Sequence, residues 1–329
     1  MRPPLRLHLN ENTGGCSPAV LAAIRGLDPL EASLYPDYTA VTAACERWLG
    51  APPGWVQLTN GLDEGLHVVA QAARPGRAVV VEPAFEMYEI CATAAGLGVT
   101  RELWDPRAAF PLDAMLDAVA GGASLVYLTD PNNPTGLPIP EGAIAAIAAA
   151  APRALVLVDE AYAEFSGRTC IGAMLDRHRN LVVGRTFAKA HGLAALRAGA
   201  LVSHPDTLAP LRRILPPFAL NICAARALLA AVEDRAHLDR YVAQSASSRA
   251  LLYAFAERRG FRYWRSEGNF VLIEIGPRAA ALVAGLAARG ILIRDKSASP
   301  ACAGCVRITA GIVRHTEACI AAMEAVLST

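Results

Sequence analysis

The chain has 329 residues, 53% of them hydrophobic and 19% charged, which is enough apolar material to bury a large core without disulfides. Its 31 Lys and Arg balance 30 Asp and Glu for a formal net charge of +1, with no basic block or stripe, and this excludes the electrostatic footprint of a nucleic-acid or anionic-membrane binder. The longest apolar run, AIAAIAAAAP (143–152), is too short to span a bilayer, and MRPPLRLHLNENTGG at the start has no apolar signal core, so a cytoplasmic protein is expected.

In chain order, QLTNGLDEGLHVVAQA (57–72) reads as a turn at Asn60–Gly61 opening into an amphipathic helix, whose free N–H groups and macrodipole favour an anion. Asp63 in the first turn caps that helix, and it competes with a bound anion unless turned aside. AVVVE (78–82), SLVYLT (124–129) and ALVLVDE (154–160) are continuous apolar runs, the pattern of strands buried on both faces. LVVGRT (181–186) and AGALVS (198–203) continue the series, and helical patterns at 86–96, 112–120 and 141–151 fall between the first four strands. Strands and helices in alternation predict an α/β unit, a largely parallel central sheet with helices on both faces.

Beyond Pro216–Pro217 the pattern changes. A long Ala-, Leu- and Arg-rich helical stretch (222–258) precedes FVLIEI (270–275), a helix at 277–289, ILIRD (291–295), VRIT (306–309) and a last helix from about 314. This predicts a smaller α+β domain. The expected division is a large domain over 35–215 and a small one formed by 1–34 together with 216–329. Eight cysteines are scattered through mostly apolar surroundings, as in a reduced core. Cys302 and Cys305 (CAGC) have metal-ligand spacing, but no second pair accompanies them, and an ordinary loop is expected.

In open α/β sheets ligands collect at the carboxyl ends of strands. There the sequence places DPNNPTG (130–136), then Asp159 and Tyr162 in DEAY, then Lys189, with Arg197 just before AGALVS. A carboxylate ending an apolar strand is costly unless a cation or donor meets it. A lysine able to form a Schiff base, with an acid to pair a pyridinium nitrogen, is the constellation expected for pyridoxal phosphate.

LNENTGG (9–15), YPDY (35–38), LTNGLDEGL (58–66), PAFEMY (83–88), DPNNPTG, VLVDEAYAEF (156–165), RTFAKAHGLAALRAG (185–199) and GILIRDKS…GCVRIT (290–309) occur in that order. By these motifs, which run nearly end to end, the chain resembles the class I/II, fold-type I pyridoxal-phosphate aminotransferases, and within them the histidinol-phosphate aminotransferase subgroup. The resemblance implies that Lys189 bonds covalently to the cofactor. It further implies that Asp159 pairs with the ring nitrogen, that Asn133 and Tyr162 bond the phenolic oxygen, and that Phe85 stacks on the ring. Backbone groups of Leu62 and Asp63, the Thr186 hydroxyl and Arg197 are implied to hold the phosphate. Tyr35 is implied to reach the neighbouring subunit's cofactor in a homodimer, and Asn10, Tyr35, Arg294 and Arg307 to contact substrate.

The reaction so implied transfers an amino group from histidinol phosphate to 2-oxoglutarate, giving imidazole acetol phosphate and glutamate. The alternatives are an aminotransferase acting on aromatic or other amino acids, threonine-phosphate decarboxylase, or a non-catalytic protein that keeps the fold. The last should have lost the lysine or the aspartate, and both are present. The chain departs from the family pattern at Ala188, where serine is usual, at Phe85 in place of a common tyrosine, in the missing proline of NENTGG, and at RITAGI.

Overall fold

Five of the apolar runs pair into one sheet. In a computed structural model, which describes residues 3–140 and 142–328, the thirteen strands are β1 (Leu5–Arg6), β2 (Val56–Asn60), β3 (Arg77–Glu82), β4 (Gly98–Leu103), β5 (Leu125–Thr129), β6 (Leu155–Asp159), β7 (Leu181–Thr186), β8 (Ala198–Val202), β9 (Arg262–Tyr263), β10 (Phe270–Glu274), β11 (Ile291–Leu292), β12 (Arg294–Asp295) and β13 (Cys305–Thr309). The main sheet has seven strands in the order β2-β8-β7-β6-β5-β3-β4. Its central ladders are parallel, as continuous apolar strands demand, and β5, β7 and β8 are buried along their whole length.

The structure departs from the expected series in two places. β8 runs antiparallel to both its neighbours, so it returns along the sheet where the pattern suggested another parallel strand. β2 and β4 complete the edges; β2 is the segment leading into the expected turn at Asn60–Gly61, and β4 (GVTREL) lacks an apolar run because it is an exposed edge strand. Of the predicted helices, 112–120 forms as Leu112–Ala120, while 86–96 and 141–151 shorten to Met87–Ala94 and Ala143–Ala150; residue 141 lies outside the described residues.

The long stretch 222–258 is two helices, Ile222–Glu233 and Arg235–Arg258. They break at Asp234, whose side chain accepts the His237 N–H and caps the second. The remaining strands form a four-stranded antiparallel-paired sheet, β12-β13-β10-β9, and a parallel pair of β1 with β11, so the N-terminal segment joins the C-terminal part. Val20 and residues 224–232 nevertheless pack into the core of the large sheet. Cys302 and Cys305 are fully buried against Trp264 and Leu272, in a turn closed by the Cys305 N–H donating to the Cys302 carbonyl at 2.9 Å. No helix among the described residues is long and apolar enough to cross a membrane.

Candidate active site

The carboxyl ends of β2, β3, β5, β6 and β7 share one edge of the main sheet. Because β8 runs the other way, its first residues lie on that same edge, and Arg197, immediately before it, is delivered beside the strand-end loops. A cavity of about 560 Å³ opens there. Twelve of the thirteen residues singled out from the sequence line it: Asn10, Leu62, Asp63, Phe85, Asn133, Asp159, Tyr162, Thr186, Lys189, Arg197, Arg294 and Arg307. Tyr35 does not. It is 78% exposed and stacked on Phe218, with ring centroids 4.1 Å apart.

Lys189 Nζ donates to the Leu9 carbonyl at 3.0 Å, and desolvation, helped by the positive charge of Arg307, pulls its pKa down to about 8. Asp159 ends β6 fully enclosed. Burial pushes its carboxyl up to about 6, against the opposing pull of two donors: the Tyr88 hydroxyl at 2.7 Å and the Ala161 N–H at 2.9 Å. Tyr88, itself buried, also meets the Thr129 hydroxyl at 2.8 Å. This residue was missed in the sequence, where it stood only as part of PAFEMY; its signal is that a buried phenol needs a polar partner.

At one end of the cavity lies an anion cup. The helix Gly61–Ala72 begins there without a side-chain cap; the Gly61 N–H donates to the Arg197 carbonyl at 2.8 Å, and the N–H groups of Leu62 and Asp63 that follow suit an anion. Gly61 has φ +72°, and a Cβ on it would fall 2.5 Å from Arg197 Nη2. A Cβ on Gly199 would fall 2.5 Å from the Gly61 carbonyl carbon and the Leu62 nitrogen. Two glycines thus let strand, helix start and guanidinium converge on a space that side chains would fill. Arg197 Nη2 donates to Asp63 Oδ2 at 2.6 Å, so Asp63, which the sequence left ambiguous, is turned onto the arginine. Thr186 Oγ1 accepts the Ala188 N–H at 3.2 Å, which leaves its hydroxyl proton to donate elsewhere. Ala188 lines the cavity and contributes no hydroxyl of its own.

The other end is basic. Arg307 on β13 is buried; its guanidinium donates to Asn133 Oδ1 at 2.6 Å and to the His8 carbonyl at 2.7 Å, and lies 5.5 Å from the Phe270 ring centroid. Asn133, expected at the phenolic oxygen, is therefore held by its carbonyl on Arg307, and only its NH2 remains to donate. Tyr162 OH accepts from Asn10 Nδ2 at 3.0 Å, and burial raises its pKa. Asn10 itself has φ +55° and is anchored through Thr309 and Asn269. Arg294 approaches Glu86 at 3.6 Å.

The model of the family described as aminotransferase class I and II matches residues 2–323. The chain belongs to this family. Among curated relatives of the chain, a histidinol-phosphate aminotransferase of Symbiobacterium thermophilum is 36% identical over 331 residues, covering 98% of this chain and 90% of the relative. A histidinol-phosphate aminotransferase 2 of Caulobacter vibrioides is 37% identical, covering 98% and 86%. Among solved structures, histidinol-phosphate aminotransferase from Sinorhizobium meliloti in complex with pyridoxal-5'-phosphate superposes with a TM-score of 0.90 at 28% identity, over 99% of this chain and 91% of that one. The chain is thus an aminotransferase of the class I and II family, and the cavity is its candidate active site.

Proposed function

We propose that this aminotransferase uses pyridoxal phosphate to move an amino group from histidinol phosphate to 2-oxoglutarate, forming imidazole acetol phosphate and glutamate. The observation that carries the reading is Lys189, its amine drawn toward neutrality, set in one cavity between two anion sites: Arg197 with the helix start, and Arg307 with Arg294. The names carried by the relatives at 36% and 37% identity supply the choice of substrate.

The residues present fit the cofactor. The glycine-lined cup at Gly61, Leu62, Asp63, Thr186 and Arg197 suits a phosphate; Asp159 suits a protonated ring nitrogen; the Tyr162 hydroxyl and the Asn133 NH2 suit the phenolic oxygen; and Phe85 suits a ring face. Bound there, pyridoxal phosphate supplies an electron sink that makes the substrate's C–H acidic. Lys189 would hold the group covalently through Nζ, and its amine, when free, takes and returns the proton at the substrate carbon. At a pKa of about 8 roughly a tenth of that amine is neutral near pH 7, far more than at the ordinary lysine value, as a general base requires. Asp159, ionised above about pH 6, matches the charge on the ring nitrogen, while Arg307 and Arg294 orient the substrate's acidic end.

We further propose a homodimer in which Tyr35 completes the partner's phosphate site. Tyr35 is exposed beside Leu34 at 60% and Leu30 at 65%, and its stacking partner Phe218 is 47% exposed, an apolar group suited to an interface. The division into 35–215 and 1–34 with 216–329 fits the two sheet systems; the helix Ile222–Glu233, which packs into the large sheet's core, goes with the larger part.

The test is a half-reaction panel on cofactor-loaded protein, scored by loss of the absorption band of the bound cofactor, with borohydride used to fix the cofactor to the protein. Histidinol phosphate should react, and the borohydride label should map to Lys189. Rapid reaction of phenylalanine or threonine phosphate with none of histidinol phosphate would overturn the substrate; a label elsewhere would overturn the role of Lys189.

A further inference from the structure

Lys296 is a cation for which the reaction outlined above has no use. Its residue is 8% exposed, and it lines the basic end of the active-site cavity and the adjoining cleft toward Ser299 and Pro300. Its backbone extends the β12–β13 ladder, the N–H donating to the Cys305 carbonyl at 2.9 Å. Arg294 sits directly opposite Arg307 in that ladder, and Lys296, two positions beyond Arg294, falls on the same side by strand alternation. Among the described residues its ammonium donates no hydrogen bond and has no carboxylate within ion-pair distance, and burial and Arg307 lower its pKa.

Like charges facing each other across a ladder repel, and an ammonium at the cavity wall with no counter-charge within ion-pair distance favours an anion there. The carboxylate facing this group is Glu86, which approaches Arg294; Glu82 and Glu89 in the adjoining cleft are paired with Arg101. Three cations against Glu86 leave two positive charges. A carboxylate substrate would leave one of them unmet, whereas a phosphate monoester carries close to two negative charges at neutral pH. We propose that Lys296 is a specificity-determining residue, which with Arg294 and Arg307 selects substrates ending in a phosphate monoester over the same amines without it. This rests on the histidinol-phosphate reading above.

The experiment compares cofactor-loaded wild type, Lys296→Met and Lys296→Arg on histidinol phosphate and on histidinol, and measures inorganic phosphate binding to each by calorimetry. In Lys296→Met the ratio of kcat/KM for the ester over the alcohol should fall about 10- to 100-fold, mainly through KM, as loss of one charge-assisted hydrogen bond predicts. Phosphate binding should weaken in parallel, and Lys296→Arg should restore most of both. A ratio that stays intact in Lys296→Met, or falls equally in Lys296→Arg, would overturn the inference. A wild type that treats ester and alcohol alike would instead overturn the histidinol-phosphate reading; in that event unweakened phosphate binding by Lys296→Met would sink the role of Lys296 as well.

Discussion

Tyr88→Phe removes one oxygen and leaves the ring in place, which isolates the bond from the Tyr88 hydroxyl to Asp159 Oδ2 at 2.7 Å. The hydroxyl favours the ionised carboxylate, and it is one of two donors opposing a burial that raises the pKa to about 6. A hydrogen bond to a charged group contributes about 1.5–3 kcal/mol, against about 1 kcal/mol for a neutral pair. The surplus, at about 1.4 kcal/mol per pKa unit, lifts the Asp159 pKa by about one further unit, to about 7. Because the folded pKa lies above the unfolded value of about 3.9, the group's contribution to stability is full below about pH 4 and is lost as pH rises through the folded pKa. In cofactor-free wild type that loss is complete soon above about pH 6; in the variant it continues to about pH 7. Urea unfolding at pH 5 and pH 8 should therefore show a larger destabilisation at pH 8, by about 0.5–2 kcal/mol. Equal destabilisation at both pH values would refute the reasoning, since it would mean that the hydroxyl does not act on the charge of Asp159.

Two other perturbations probe the anion cup. Gly199→Ala places a methyl 2.5 Å from the backbone of Gly61 and Leu62, where no flexible side chain can yield. Overpacking of this kind costs about 1–3 kcal/mol, so the dissociation constant for pyridoxal phosphate should rise about 5- to 100-fold, and an unchanged constant would rule out the cradle. Asp63→Asn releases Arg197 from a half-exposed ion pair at 2.6 Å. Such pairs contribute about 0.2–1 kcal/mol, so inorganic phosphate should bind about 1.4- to 5-fold more tightly at low salt by calorimetry, and weaker binding would show that Asp63 assists the cup.

The lining of the cavity was legible in the sequence because strand ends are marked where an apolar run stops at a polar residue. Asp159, Thr186 and, through the following turn, Lys189 are each placed by such a run. What escaped was whatever depends on contacts distant in sequence. The reversal of β8 leaves no trace in a strand buried on both faces, since parallel and antiparallel strands at the centre of a sheet share one apolar pattern. The break at Asp234 was hidden because the helical pattern is strong on both sides of it, and only the capping bond to the His237 N–H reveals it. His8 and Lys296 were missed because each comes to the cavity from outside the large sheet, through packing of separate segments; Glu86 and Tyr88 follow the end of β3, but nothing in PAFEMY marks which of its polar side chains turn toward the cavity.

The antiparallel return of β8 also divides the active site mechanically. Lys189 and Arg197 lie on one short connection that leaves the sheet at the end of β7 and re-enters it at the start of β8, with both strands locked in their ladder. Their separation is set within a single rigid frame. Arg294, Lys296 and Arg307 belong to another frame, the β12–β13 ladder, joined to the first across the cavity by the Arg307–Asn133 bond. Under the proposed binding mode, a hinge between the two frames leaves the reach from Lys189 to Arg197 untouched and alters only the distance to Arg294, Lys296 and Arg307. In the proposed reaction, substrate length is then gauged between those frames, apart from the residues proposed to hold the cofactor.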